Sequence, residues 1–182
     1  MNSQIGYVFA KILSKIKREK HKETINRWFV KQGVELRKGE TGWINICSNI
    51  AKNEPHLISI GNNTTIGGEV EFVTHDNSVS KVISGTSDLF GKIYIGENCF
   101  IGARSVILYG VTIADNVIVA AGSVVTKSID ESNVIVAGNP AKIVSTWEQY
   151  AEKYKDYAWS LNEVTRKEMI RQTSDGVNLV KR

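Results

Sequence analysis

Two neighbouring residues, His75 and Asp76, have the side chains best suited to chemistry, and they lie where a regular pattern stops. The stretch EFVTHDNSVSK, residues 71–81, follows a run with an apolar residue at every sixth position, and that spacing resumes only after Lys92. The ordinary histidine pKa, near ~6.5, suits a general base at neutral pH, so we predict that His75 transfers a proton. Asp76 could orient the imidazole or bind a substrate. We favour substrate binding because adjacent side chains rarely face each other.

The pattern that stops at His75 is a repeat of six residues. Nine apolar residues lie at its spacing, and small residues often follow them. A helix repeats near ~3.6 residues and a half-buried strand near ~2, so neither explains a period of six. A hexapeptide period is typical of a parallel β-helix, in which three hexapeptides form one triangular coil and the apolar residues point inward. The apolar positions are Ile60, Ile66, Phe72, Ile95, Ile101, Ile107, Ile113, Val119 and Val125.

The repeat divides the chain into three parts. We predict a basic, helical segment over residues 1–40, the β-helix over 41–144 with a loop inserted at about 77–92, and a C-terminal helix with a tail over 145–182. Ser145 as N-cap and Glu148 three residues later predict a capping box, with the helix running to about Gln172. The apolar residues with helical spacing in the first part are Ile5, Phe9, Ile12, Leu13, Ile16, Ile25, Trp28 and Phe29.

The positive charge is concentrated at the N-terminal end. The net charge is +4, and residues 1–40 contain ten Lys or Arg against four Glu. No nucleic-acid-binding motif accompanies this charge, so we expect no nucleic-acid partner. The basic helix could pack its apolar face against the β-helix or a neighbouring subunit, which we favour, or it could lie on a membrane surface. We expect no signal peptide and no membrane span, and Cys47 and Cys99, which fit no disulfide or metal spacing, indicate a reducing cytoplasm.

Two stretches carry a resemblance to a known family. IGENCFIGARSVILYGVTIADNVIVAAGSVVTKSI, residues 95–129, and VIVAGNPAKIV, residues 134–144, resemble the hexapeptide-repeat acyltransferases. The closest branch in pattern is the coenzyme-A-dependent O-acetyltransferases of sugars and bacterial surface polysaccharides, including galactoside, maltose and nodulation-factor acetyltransferases. The resemblance implies a mainly β fold, a left-handed parallel β-helix with helices at both ends. It also implies a homotrimer with each active site between two subunits.

The resemblance further implies the site and its chemistry. His75 would take the proton of a sugar hydroxyl as that hydroxyl attacks acetyl-CoA directly, with no metal, and a backbone N–H would stabilise the oxyanion. The inserted loop would wall the site. Candidate residues for the carbohydrate acceptor are Asp76, Asn49 and Asp88. Those for acetyl-CoA are Ala103, Ala121 and Gly122 along the pantetheine arm, Thr126 and Lys127 near the adenosine end, and Lys142 as a further cation for phosphate.

We therefore expect an acetyl-CoA-dependent sugar O-acetyltransferase in the cytoplasm or at the inner face of the membrane. The alternatives are an N-acetyltransferase acting on an amine of a nucleotide sugar, an enzyme that takes long acyl chains from a carrier protein, and a non-enzymatic β-helix that binds a partner. A zinc-dependent carbonic anhydrase of the same fold needs three histidine ligands. Of His21, His56 and His75, only His75 lies in a matching loop, so we set that class aside.

Overall fold

The computed structural model describes residues 18–37, 42–45, 47–50, 52–160, 165–176 and 179–180. They belong to two units, Met1–Val144 and Ser145–Arg182. The predicted amphipathic helix that contains Ile5 and Phe9 lies outside the described residues, as does the question of whether it packs or contacts a membrane.

The first unit is built from short strands that form the three faces of a prism. The strand orders in these faces are β1-β2-β7-β10, β14-β13-β11-β8-β3 and β12-β9-β4. Ile60 pairs in parallel with Ile95, and Ile95 with Ile113, so each face stacks the same position of successive coils. The bounds are β1 (Glu35–Leu36), β2 (Ile58–Ile60), β3 (Thr65–Ile66), β4 (Glu71–Phe72), β5 (His75–Asp76), β6 (Leu89–Phe90), β7 (Ile93–Ile95), β8 (Phe100–Ile101), β9 (Val106–Ile107), β10 (Thr112–Ile113), β11 (Val117–Val119), β12 (Val124–Val125), β13 (Val134–Gly138) and β14 (Ala141–Thr146).

The core of the prism consists of two buried positions in each hexapeptide. All nine apolar residues of the predicted repeat are 0–1% exposed, which confirms that they point inward. Seven of the nine residues four positions later are also buried, and the polar ones among them bond to backbone carbonyls: Thr64 Oγ1 donates to Gly96 O at 2.8 Å and Ser105 Oγ to Ala120 O at 3.1 Å. This second column comprises Thr64, Val70, Cys99, Ser105, Val111, Val117 and Ser123.

Glycine follows the buried residue at several corners because the next coil lies directly against it. A Cβ added to Gly102 would lie 2.4 Å from the backbone nitrogen of Ala121, and one added to Gly61 would lie 2.5 Å from Gly96 carbonyl atoms. No side chain fits at such distances without moving the neighbouring backbone. The prediction of small residues at tight corners is therefore explained by coil-to-coil contact.

Another corner position adopts left-handed backbone in successive coils of the described part of the chain. One stack consists of Asn63, Asn98, Asn116 and Asn133, all with φ between 52° and 61°. Asn63 Nδ2 donates to Asn98 Oδ1 and Asn98 Nδ2 to Asn116 Oδ1, each at 2.8 Å. Asparagine tolerates this conformation better than most residues, so the stack suits its position.

The N-terminal helix of the described residues, α1 (Arg18–Gln32), packs against one part of this core. Ile25 and Phe29 are 3% and 0% exposed, and Trp28 packs beside them, as the helical spacing predicts. Gly33 then turns the chain with φ at +106°, a conformation that glycine adopts readily.

The second unit contains α2 (Trp147–Tyr154), a 3₁₀ turn (Lys155–Tyr157) and α3 (Arg166–Ser174). The predicted capping box exists but was placed one residue too early: Thr146, not Ser145, is the N-cap, and Gln149, not Glu148, is its partner. A single helix to Gln172 is also wrong, because Ala158 is extended after the 3₁₀ turn. Apolar spacing continued through this break and therefore did not reveal it.

Candidate active site

The inserted loop leaves the prism at His75 and returns beside it. β5 and β6 pair antiparallel, with His75 opposite Phe90 and Asp76 opposite Leu89. Between them lie a 3₁₀ helix, Asn77–Lys81, and a run of mostly exposed residues. The loop thus begins and ends next to the imidazole, which lies 5.9 Å from the Phe90 ring, measured between centroids.

The imidazole of His75 is held by a carboxylate from an earlier part of the chain. Nδ1 of His75 lies 3.0 Å from Oε2 of Glu54, which also accepts a hydrogen bond from Thr74 Oγ1 at 2.5 Å. An ionised carboxylate only accepts, so the proton of the neutral imidazole belongs on Nδ1. Nε2 then carries the free lone pair, which is the form that a general base requires.

The same contacts shift the pKa values of both groups. The hydrogen bond that His75 donates to Glu54 raises the pKa of His75 above 6.5; burial opposes this, and the charges of Glu54, Asp88 and Asp76 add to it. Hydrogen bonds from Thr74 and then His75 lower the pKa of Glu54 below its ordinary value. The side chains of His75 and Glu54 are 36% and 26% exposed, so the pair is accessible to a substrate and is partly screened by water.

Asp76 does not orient the imidazole. Its Oδ1 accepts from the backbone N–H of Ser78 at 2.8 Å, and its Oδ2 from the hydroxyl of Tyr109 at 3.1 Å. These hydrogen bonds, that of the Ser78 backbone first, lower the pKa of Asp76. Of the two roles left open by the sequence, orientation of His75 thus belongs to Glu54, and Asp76 anchors the start of the loop.

The other two acceptor candidates lie in different surroundings. Asp88 is half-buried immediately before β6, and its charge acts on His75. Asn49 is only 7% exposed, its Nδ2 donates to Glu71 Oε1, and its Oδ1 accepts from Phe72 N at 3.1 Å. With both ends of its amide bound to the neighbouring coil, Asn49 has a structural role here, and we do not place it among the residues that contact an acceptor.

Three predicted coenzyme residues line one groove. The groove has a volume of ≈ 550 Å³ and contains Ala103, Ala121 and Gly122. Gly122 has φ at +72°, and a Cβ added there would point into open space, so its absence widens the groove. A narrow chain could therefore approach the backbone closely. The other lining residues are Asn45, Cys47, Gly68, Glu69 and Arg104.

The remaining coenzyme candidates do not line this groove. Thr126 and Lys127 are exposed just after β12, and Lys142 is exposed on β14. Strands β2–β4, β7–β9 and β10–β12 form the first, second and third coils. All three residues come after the last strand of the third coil, whereas Ala103 lies in the second coil and Ala121 in the third, before β12. The structure therefore separates a groove of small residues from cations that lie further along the chain.

His75 and the groove lie at opposite edges of one prism face. The face consists of β4, β9 and β12. Gly68, Ala103 and Ala121 come just before these strands, whereas His75 comes just after β4. A single protomer therefore does not bring His75 and the groove together.

Comparison with known proteins identifies the family to which the chain belongs. The sequence profile described as "Hexapeptide repeat of succinyl-transferase" matches residues 92–127. A Staphylococcus aureus protein, "Protein CapG", is 40% identical over 155 residues, which cover 82% of this chain and 87% of that protein. The chain belongs to the hexapeptide-repeat acetyltransferase family. This confirms the resemblance and the prediction of an acyltransferase.

Two further similar proteins are also named as O-acetyltransferases. The "Galactoside O-acetyltransferase" of Escherichia coli K12 is 31% identical over 128 residues, covering 69% of this chain and 62% of that enzyme. A crystal structure of a maltose O-acetyltransferase from Clostridium difficile 630 has a TM-score of 0.53 at 22% identity, and the match covers 76% of this chain and 84% of that one. The structural likeness shows the fold, a left-handed parallel β-helix, and confirms the predicted fold class.

Glu54 is the residue of this acetyltransferase that the sequence missed. The candidate residues taken from the sequence do not include its carboxylate. Stepping back one coil of about 18 residues from His75 leads to Leu57, not Glu54. Residues 52–57 do not follow the repeat, so its register could not place the side chain.

No group of three or more His, Cys, Asp or Glu side chains among the described residues could hold a metal ion. None of the helices in the described part of the acetyltransferase is long and apolar enough to cross a bilayer.

Proposed function

We propose that the chain is an acetyl-CoA-dependent O-acetyltransferase whose acceptor is a hydroxyl of a sugar, in a bacterial surface polysaccharide or its precursor. The observation that carries this is the Glu54–His75 pair at the base of the inserted loop, with Nδ1 bound to Oε2 at 3.0 Å. The identity to a galactoside O-acetyltransferase supports a sugar hydroxyl as acceptor. Cytoplasmic synthesis of the precursor is part of the proposal.

His75 performs the proton transfers. Nε2 takes the proton of the acceptor hydroxyl as its oxygen attacks the thioester carbonyl, and the imidazolium later returns that proton to the leaving thiolate. Glu54 stabilises the imidazolium and keeps the ring in one orientation, since its carboxylate faces Nδ1 throughout. Asp76 and Asp88, on the two sides of the loop base, are the acceptor-binding candidates.

The groove would hold the co-substrate. Ala103, Ala121 and Gly122 leave room for the pantetheine arm, and the thioester supplies the activated acetyl group. Thr126, Lys127 and Lys142 would meet the phosphates and adenosine, because exposed lysines suit phosphate as mobile cations. This order puts the acetyl end of the groove near the earlier coils, at the level of β4 and His75.

A homotrimer completes the site. His75 and the groove lie at opposite edges of one prism face, so neighbouring prisms are needed to bring the two edges together. We expect light scattering of the active enzyme to give about three times the 20.2 kDa of the chain. A fully active species at the mass of one chain would rule out the shared site.

The function is tested by mass spectrometry of products. Purified protein is incubated with acetyl-CoA and a panel of sugars that offer either hydroxyl groups alone or an amino group as well, including nucleotide sugars and polysaccharide precursors. A mass gain on hydroxyl-only sugars is the expected result. Acetylation confined to amino groups would replace the proposal with N-acetylation, and release of acetate without any acceptor product would contradict sugar transfer.

A pH profile separates Glu54 as a positioning residue from a structural one. Because the base must be unprotonated, kcat/KM should rise with pH through the raised pKa of His75. Glu54→Gln removes the largest cause of the raised pKa of His75, so the midpoint of the pH profile should fall toward ~6.5. We also expect kcat to fall by roughly tenfold or more, part of the ~10²–10⁴ that a positioned base supplies.

The matched control is Glu71→Gln, on β4 in the coil that contains His75. Glu71 accepts from Asn49, and it is not among the groups that shift the pKa of His75. Its substitution should leave the midpoint unchanged. A midpoint that stays the same in Glu54→Gln, or moves equally in both variants, would show that Glu54 does not act on the base.

A further inference from the structure

We propose that Arg104, with Glu69 as its partner, binds the amide groups of the co-substrate's pantetheine arm; the inference rests on the proposed function. Nε of Arg104 lies 2.7 Å from Oε2 of Glu69, and both residues line the groove that contains Ala103, Ala121 and Gly122.

The backbone of this pair is the first argument. Glu69, Arg104 and Gly122 stack at one corner with φ of 57°, 60° and 72°. The N–H of Arg104 donates to Gly68 O at 3.0 Å, and that of Gly122 to Ala103 O at 2.9 Å, so the three occupy equivalent positions. At the left-handed corner of Asn63, Asn98, Asn116 and Asn133 the side chain is asparagine in each of these described coils. Long side chains in this conformation are uncommon, and such outliers concentrate at functional sites.

Folding stability does not explain why a charged pair occupies this left-handed corner. The side chains of Arg104 and Glu69 are 78% and 61% exposed, and exposed ion pairs contribute little to folding. An asparagine pair at this corner would suit the backbone better and could bond between coils, as Asn63 and Asn98 do at 2.8 Å. The chain therefore has a charged pair where the fold alone favours a smaller residue.

The chemistry of the pair fits an amide better than a phosphate. Arg104 offers several N–H donors and Glu69 offers acceptors, whereas an amide has one of each kind. The charge of Glu69 offsets that of Arg104 and repels a phosphate, while the exposed Lys127 and Lys142, which suit phosphate, lie after the third coil. The pair is in the first and second coils, at the end of the groove where the arm approaches the thioester.

Calorimetric titration with coenzyme A tests the proposal, because it needs no acceptor. In Arg104→Asn we expect the Kd for coenzyme A to rise roughly tenfold, the usual effect of losing one hydrogen bond from a charged group. The melting temperature should stay the same or increase, since asparagine tolerates the left-handed backbone. If Arg104 had only a structural role, the substitution would lower the melting temperature and leave the Kd for coenzyme A unchanged.

A probe without phosphates locates the contact. The Kd for pantetheine, measured by competition with coenzyme A, should rise by a similar factor in Arg104→Asn, whereas Lys127→Ala should weaken coenzyme A alone. Arg171→Ala is the matched control, since Arg171 forms a comparable exposed pair with Glu168 at 2.7 Å in α3, and its affinities should be unchanged.

The possible results of these titrations either support or overturn the inference. If Arg104→Asn binds both probes as the wild type does, or loses affinity for coenzyme A but not for pantetheine, the inference is wrong. A lower melting temperature with unchanged affinity would also overturn it. If the wild type itself fails to bind coenzyme A, the proposed function falls, and the inference falls with it.

Discussion

Replacing His75 with alanine should lower kcat by about two to four orders of magnitude, the usual contribution of a general base. The imidazole is oriented by Glu54 at 3.0 Å through Nδ1, which leaves Nε2 to take the acceptor proton. The adjacent Asp76 is not a ready substitute, because its carboxylate is bound to Ser78 and Tyr109. The measurement is steady-state turnover with acetyl-CoA and the acceptor found in the product screen.

Two further measurements make this result specific. The Kd for coenzyme A should change little in His75→Ala, because His75 is not among the residues that line the groove and lies at the opposite edge of the face. His56→Ala is the matched control: His56 is exposed in the 3₁₀ turn Pro55–Leu57 and should keep wild-type turnover. A His75→Ala enzyme that retained more than a tenth of the wild-type kcat would exclude His75 as the base.

The prism was predictable because the same packing contacts recur every six residues. One inward apolar residue in every six, often followed by glycine where an added Cβ would lie 2.4–2.7 Å from the backbone of the next coil, leaves a signal that repeats along the chain. The second unit was harder, since apolar spacing at helical intervals continues through the 3₁₀ turn Lys155–Tyr157, where the first helix ends. Capping was displaced by one residue because Ser145 and Thr146 can both accept from a backbone N–H.

The candidate site was predictable only where it interrupts or lines the repeat. His75 marks the break, and Ala103, Ala121 and Gly122 are small residues at repeating positions. Glu54 lies in a stretch without the repeat, so only the folded chain shows that it meets His75. Asn49 was selected for its type, yet its amide is bound between coils, because burial of a polar side chain is decided by its neighbours.

Replacing Phe72 with alanine should cost about 3–5 kcal/mol of unfolding free energy, the usual loss for a buried phenylalanine. Phe72 is 1% exposed and is the only aromatic residue among the nine inward positions, so its removal leaves a cavity that rigid stacked coils cannot close. Domains are stable by only about 5–15 kcal/mol, so this loss is a large fraction of the total. Equilibrium unfolding in urea measures it.

Phe100→Ala is the matched control for Phe72→Ala, because Phe100 lies on the outer side of β8 and is 46% exposed. The substitution Phe100→Ala should lower the unfolding free energy of the protomer by less than about 1 kcal/mol, since exposed side chains contribute little. Measurement at two protein concentrations separates burial within the prism from burial between subunits: a loss for Phe100→Ala that depends on concentration would place this face in the trimer contact. A loss below about 1 kcal/mol for Phe72→Ala would mean that the prism closes around the missing ring, contrary to a core held rigid by its stacked coils.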